Sequence, residues 1–372
     1  MGDFGRHGTD CYRCAGGRSR TTNLFVYIRI SACCMKKVSI KDIAAIVGAA
    51  PATVSFVLNG KAKEMRISEK LADSIKETAK KLGYHPNQIA VSLRTGKSKI
   101  LGLIVENISD NFFATLARTI EDEAELFGYR VVYCSTENEK EKGNELIRML
   151  SQRQVDGYLI TPSSGMDDDI KVLLEHNKPV VLMDRYLPGV TAPHVLVDNF
   201  GGVIKGMKHL KKKGYRNVAF VTVDLHLVQM DERERGYRQM LKSNGVTMSK
   251  PLILRLPYNY EKDEAIRLIG EFIRKHPKLD AIFFATNYLG ITGLESIKQA
   301  GMKIPDDIAV ICFDDHDIFR LYPPGITSIK QPITEIARTS VHMLMQQLGK
   351  FKMKSKKKQL KLAAHLIERG ST

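Results

Sequence analysis

From Ile100 onward, short apolar runs alternate with longer amphipathic stretches, and this alternation constrains the fold more than any other feature of the 372-residue chain. Residues 100–105, 131–134, 158–160 and 180–183 are short and rich in Val, Ile and Leu, which predicts strands. Residues 112–127, closed by Gly128, and residues 144–152 place apolar side chains at helical spacing. Strand-like runs resume at 218–223, 252–256, 281–285 and 308–313. Repeated strand–helix units give parallel sheets wound on both faces, because parallel strands need a crossover that passes over the sheet. Two sets of repeats predict two lobes with a cleft between them. Ligands of such sheets gather at the carboxyl ends of the strands.

Before Ile100 the period changes. Ser39 is placed to cap a helix over 40–47, with Ile43, Ala44 and Val47 on one face. Gly48 supplies a turn, and Pro51 to Asn59 reads as a second short helix. Val54, Val57 and Leu58 face inward there, leaving Ala52, Thr53, Ser55, Phe56 and Asn59 outside. A third helix, capped by Ser68 and reaching Leu82, carries Leu71, Ile75, Ala79 and Leu82 as its apolar stripe. Two short helices about a tight turn form a helix-turn-helix, whose second helix enters the major groove of DNA.

Charge supports that reading. The formal net charge is +16, yet residues 35–98 hold 12 Lys/Arg against 5 Asp/Glu, and residues 350–372 hold 8 against 1. The long middle is close to neutral, which fits a nucleic-acid-binding head on a body with another task. Lys61, Lys63, Arg66, Lys70 and Lys76 surround the third helix, where phosphates can be met. The lysines of 352–361 read as a solvated loop rather than a second DNA site.

Val38-Ser39-Ile40-Lys41-Asp42-Ile43-Ala44, Ala52-Thr53-Val54-Ser55, Val57-Leu58-Asn59 and Leu82-Gly83-Tyr84-His85-Pro86-Asn87-Gln88-Ile89-Ala90 closely resemble the head of the lactose-repressor family. The resemblance implies an all-α helix-turn-helix head joined to a two-lobed α/β body like a periplasmic binding protein. It implies DNA contacts from Ser39, Pro51, Ala52, Thr53, Ser55, Phe56, Asn59 and Asn87. It also implies a hinge helix from Asn87 to Arg94 whose Leu93 wedges into the minor groove. Two positions depart from the family pattern: Ala50 stands where Ser or Thr caps the recognition helix, and Phe56 replaces a common arginine.

The body resembles the family as well. Asp110-Asn111-Phe112-Phe113 follows the first strand, where the family sets aromatic rings such as Phe112 and Phe113 against the effector. Arg233 matches an arginine that grips a ligand hydroxyl or carboxylate through several hydrogen bonds. Asn287 and Asp314 follow strands and supply donors and acceptors for sugar hydroxyls. Tyr288 stands where the family commonly carries Asp. Asp184 and Arg185, ending the 180–183 strand, complete the expected effector set. The resemblance in Pro323-Pro324 and in residues 326–332 suggests the last passages between lobes.

The expected divisions are 35–82 for the head, 83–98 for hinge and linker, 99–214 with 331–358 for the first lobe, and 215–330 with 359–372 for the second. Residues 1–34 are read as an extension preceding a start at Met35. Arg18, Arg20 and the apolar run near Leu24 resemble an export signal, but Arg29 interrupts that run. The single Cys11-x-x-Cys14 pair lacks partners at zinc-like spacing, so neither metal nor cofactor is expected. Cys134 and Cys312 lie in separate apolar strands, which suits a reducing cytoplasm. No apolar run reaches membrane-spanning length. No Walker loop, Gly-x-Ser-x-Gly elbow or HExxH motif marks an enzyme. The expected partners are operator DNA, a small sugar-like effector and a second copy of the chain. The competing reading is an exported sugar receptor, which accounts for the body but gives the head no task.

Overall fold

The computed structural model describes residues 38–85, 88–243, 251–352 and 358–372. The expectations for residues 1–34 and Asn87, and part of the lysine cluster, lie outside these. The chain divides into two compact units between Pro86 and Asn87.

The first unit is helical. In α1 (Ile40–Val47) the Ser39 hydroxyl accepts from the Asp42 N–H, and the Asp42 carboxylate accepts the Ser39 N–H at 2.8 Å. That reciprocal box satisfies two donors that a helix start leaves open. Gly48, at φ 70°, ends α1 in a left-handed turn that glycine adopts without strain. The chain then bends 108° into α2 (Pro51–Leu58), within the range of a helix-turn-helix. As expected, Ala50 gives α2 no side-chain cap. Pro51 loses nothing there, since the first helical N–H has no intrahelical partner.

A third helix, α3 (Glu69–Lys81), is capped by Ser68. Ile43, Ala44, Val54, Val57, Ala72, Ile75 and Ala79 close the core, with Val47, Leu58, Leu71 and Leu82 at its margin. The buried stripe of α3 therefore runs through Ala72, one position beyond the expected Leu71. The small side chain lets the helices approach closely there.

The second unit opens with α4 (Gln88–Thr95). The chain then builds a first lobe from β1 (Ile100–Val105), α5 (Asn111–Glu125), β2 (Arg130–Ser135), α6 (Lys140–Gln152), β3 (Gly157–Ile160), α7 (Asp167–Glu175), β4 (Val180–Met183) and β5 (His194–Val197). It crosses into a second lobe with α8 (Asn199–Lys212), β6 (Val218–Asp224), α9 (Val228–Ser243), β7 (Leu252–Pro257), α10 (Lys262–Lys275), β8 (Ala281–Phe284), α11 (Asn287–Gln299), β9 (Ala309–Phe313), α12 (Asp317–Leu321) and β10 (Thr327–Lys330). It returns to the first lobe with α13 (Ile333–Gln347) and β11 (Gln359–Leu362), then ends in the second with β12 (His365–Ile367).

The strand orders are β2-β1-β3-β4-β5-β11 and β7-β6-β8-β9-β10-β12. All recorded pairings are parallel except that of β12 with β10. Alternation places Leu101, Leu103 and Val105 in one core and Ile104 in another on the opposite face, as a sheet covered on both sides requires.

Two expected lobe boundaries move. The first crossing comes near residue 198 rather than 214, because α8 packs on the second sheet. A Cβ at Gly206 would lie 2.6 Å from the Phe283 ring, and one at Gly202 would lie 2.9 Å from Phe313. Glycines at these points allow the helix to sit down on the strands. The last crossing comes near residue 363 rather than 358, because β11 extends the first sheet through β5. After β10 the chain passes directly into α13, which packs against β3, β4 and β5 of the first sheet.

Candidate DNA-reading head and ligand cavity

In the head, Val54 and Val57 point into the core while Pro51, Ala52 and Asn59 are exposed, with Thr53, Ser55 and Phe56 half-buried. This orientation follows from helical periodicity, because burying 54 and 57 turns 52, 55, 56 and 59 toward other faces. Asn59 donates from Nδ2 to the Ser55 carbonyl at 2.6 Å and contacts its hydroxyl at 3.3 Å. Lys61, Lys63, Arg66, Lys70 and Lys76 are all exposed. The pairs Lys61–Glu64 at 3.8 Å and Lys76–Asp73 at 3.4 Å are solvated, so they hold those cations weakly. In the second unit, Leu93 on α4 is 73% exposed.

A cavity of about 650 Å³ lies between the two lobes. It collects Phe112, Phe113, Asp184, Arg233, Asn287, Tyr288 and Asp314, seven of the eight effector positions expected from sequence. Phe112 and Phe113 meet edge to face at 5.0 Å and form an apolar wall. They open α5, whose first turn is held by Asp110 accepting from the Phe112 N–H at 2.8 Å.

Opposite them, Arg233 is 3% exposed and fixed on several sides. Its Nε donates to Asn199 at 2.8 Å, and Nη1 donates to the Ala285 carbonyl at 2.7 Å and to Asp314 at 3.3 Å. Its guanidinium lies 3.8 Å over the Phe313 ring. A planar cation held this firmly presents its remaining donors in one orientation.

Asp184 and Asp314 occupy matching places at the carboxyl ends of β4 and β9, one per lobe. Both take left-handed backbone, at φ 64° and 67°, which an aspartate tolerates better than a branched residue. Gln331 donates from Nε2 to Asp314 at 2.5 Å. Burial pushes the Asp184 carboxyl up to about 6, although Arg185 and Arg233 pull it down. Burial likewise raises Asp110, opposed by the hydrogen bond from the Phe112 N–H.

Arg185 does not line this cavity, contrary to expectation. The left-handed turn at Asp184 sends it behind the wall, where it is 1% exposed, pairs with Glu106 and donates to Asn138 at 3.0 Å. It supports Glu106, which does reach the cavity. Tyr258 donates to the same carboxylate at 3.0 Å from the second lobe, and its hydroxyl is raised by burial and by that carboxylate. Glu106, Tyr258 and Gln331 are not among the sequence-expected effector residues, although each directly follows a strand. The rule that found Asn287 and Asp314 applies equally to them.

Residues 39–87 match the family described as bacterial regulatory proteins, lacI family, and residues 207–372 match a periplasmic binding protein-like domain. The ribose operon repressor of Halalkalibacterium halodurans is 29% identical over 312 residues, covering 84% of this chain and 91% of the relative. The HTH-type transcriptional repressor PurR of Aliivibrio fischeri is 28% identical over 316 residues, covering 83% and 91%. Among solved structures, the lac repressor dimer bound to operator and the anti-inducer ONPF superposes with TM-score 0.77 at 21% identity, over 90% of this chain and 99% of that one. The transcriptional regulator CelR–cellobiose complex superposes with TM-score 0.64 at 25% identity, over 90% and 100%.

Proposed function

We infer that this chain is a member of the lacI family of bacterial regulatory proteins, which its residues 39–87 match, and a sequence-specific DNA-binding repressor controlled by a small sugar-like ligand held between its lobes. One observation carries the reading. A helix-turn-helix with an outward second helix and a cavity lined from two lobes occur in one chain. Similar proteins are named as a ribose operon repressor, an HTH-type transcriptional repressor and a transcriptional regulator complexed with cellobiose. The exported-receptor reading leaves the match over residues 39–87 without a purpose.

In this reading Ser39, Pro51, Ala52, Thr53, Ser55, Phe56 and Asn59 present themselves to base edges and phosphates, and Asn87 and Leu93 act at the hinge. Phe56 brings an apolar ring that suits thymine methyl groups rather than a guanine edge. The basic residues about α3 supply affinity without sequence information. Two copies read a pseudo-palindromic operator, as the dimeric form of the lac repressor suggests. The protein works in the cytoplasm and leaves its ligand chemically unchanged.

Phe112, Phe113, Arg233, Asn287, Tyr288 and Asp314 grip the ligand, with Asp184 alongside. Because they come from both lobes, ligand binding favours one relative placement of the lobes over another. Only such a difference in affinity shifts a conformational equilibrium.

The test is selection of random duplexes on the full chain, followed by operator titration with and without sugars. A pseudo-palindromic consensus, with affinity shifted by a sugar, is expected. Equal affinity for random and selected duplexes would overturn the reading.

A further inference from the structure

The cavity's charged groups are unevenly divided between carboxylates and cations. Glu106, Asp110, Asp184 and Asp314 bring four carboxylates to its wall, with Glu137 and Glu139 also lining it, whereas Arg233 is its only arginine or lysine among the described residues. Each nearby cation already serves a carboxylate. Arg185 serves Glu106 and stands 3.3 Å from Asp184, and Arg233 serves Asp314. Asp110 has no cationic partner among the described residues. Its own contacts are the Phe112 N–H at 2.8 Å and the Asn287 amide.

Two further acceptors border the cavity. Gln229 and Gln331 are 6% and 3% exposed, and the Oε1 of each has no hydrogen-bond partner. The orientation of Gln331 is settled by chemistry, since only its Nε2 can donate to the Asp314 carboxylate. Buried acceptors without donors are costly, and buried carboxylates beyond the number of cations more so.

We propose that the cavity selects a polyhydroxylated ligand carrying an amine, and rejects its phosphorylated or carboxylated counterpart. An ammonium group satisfies Asp110 and the carboxylates beside it, and hydroxyls bond to the polar side chains around them, such as Asn287 and Tyr288. A phosphate or carboxylate would bring further negative charge to a wall where carboxylates outnumber cations. Burial displaces the Asp110 and Asp184 carboxyls upward, and neighbouring carboxylates add to that displacement. The proposal rests on the reading of the cavity as the effector site, and adds the charge class of the effector.

The experiment is thermal denaturation of the full chain near neutral pH with matched probes. One set pairs hexosamines with their parent hexoses and hexose 6-phosphates. A second set is free of sugar stereochemistry: tris(hydroxymethyl)aminomethane, its neutral analogue pentaerythritol, and inorganic phosphate. The amine member of a set is expected to bind at least about tenfold tighter than the neutral one, as charge-assisted hydrogen bonds exceed neutral ones. Phosphate should give no shift. Asp110→Asn, which keeps the capping acceptor of α5, should reduce the amine advantage.

Equal or tighter binding of a neutral or phosphorylated member overturns the amine assignment alone. An amine advantage that survives Asp110→Asn undiminished overturns it as well. Protection by the polyol amine with silence from every sugar upholds the charge class and rejects the sugar reading. Silence from all probes rejects both.

Discussion

Replacing Asp184 by Asn should make the protein more stable near neutral pH, although it removes a charge that faces two arginines. Asp184 is 6% exposed at the end of β4. Its carboxyl is pushed up to about 6 by burial, and the attraction of Arg185 and Arg233 recovers only part of that. Glu106 and Asp314 push in the same direction as burial.

An unfolded aspartate titrates near about 3.9, so the gap is roughly two pH units, equivalent to about 3 kcal/mol. The sign follows from proton binding. Between about pH 4 and pH 6 the folded chain holds a proton that the unfolded chain has lost, so this group's contribution is present below about 4 and lost as pH rises through about 6. Asparagine mimics the protonated carboxyl and has no such titration. The variant should match wild type near pH 4 and exceed it by up to about 3 kcal/mol near pH 7.5. Urea denaturation of both proteins across that range is the assay, because comparing the two cancels the other carboxylates. If the variant is no more stable than wild type at about pH 7.5, the arginine pairing offsets burial and the reasoning fails.

Other perturbations separate the head from the cavity. Leu93→Ala should weaken operator binding by at least about tenfold, since a lost wedge forfeits part of a kink worth a few kcal/mol; the melting temperature should stay put, because the side chain is 73% exposed. Ala50→Ser should add about 1 kcal/mol to the head by supplying the missing cap of α2, read as a shift in the denaturation of the head. Arg233→Ala should abolish the ligand response in operator titrations and lower stability by about 3 kcal/mol or more, because Asp314 is left buried without its cation. Tyr258→Phe should reduce ligand affinity while leaving DNA affinity of the unliganded protein unchanged, measured by calorimetry and fluorescence anisotropy.

Much of the fold was legible in the sequence because period and capping act locally. Ile40–Val47 has the expected bounds, and the 180–183 run became β4 unchanged. The passages between lobes were less legible. Whether α8 sits on the first or second sheet depends on the fit of Gly202 and Gly206 against Phe313 and Phe283, residues more than 70 positions away. No local pattern records that contact. Short strands such as β11 and β12 are held by partners remote in the chain, so their few alternating residues carry a weak signal.

The cavity shows the same division between local and remote causes. Asn287 and Asp314 could be placed because they end strands that periodicity reveals. Arg185 also ends a strand, yet the left-handed backbone at Asp184 turns it away from the ligand side. Its role is set by Glu106 and, through that carboxylate, by Tyr258 of the other lobe. Such a chain, from a buried cation through a carboxylate to a phenol across the cleft, couples lobe placement to the cavity wall. If Glu106 holds the lobes together only through Tyr258, Tyr258→Phe and Glu106→Gln should weaken ligand binding less than additively in a double-mutant cycle. Fully additive effects would separate the two residues and remove this contact from the coupling.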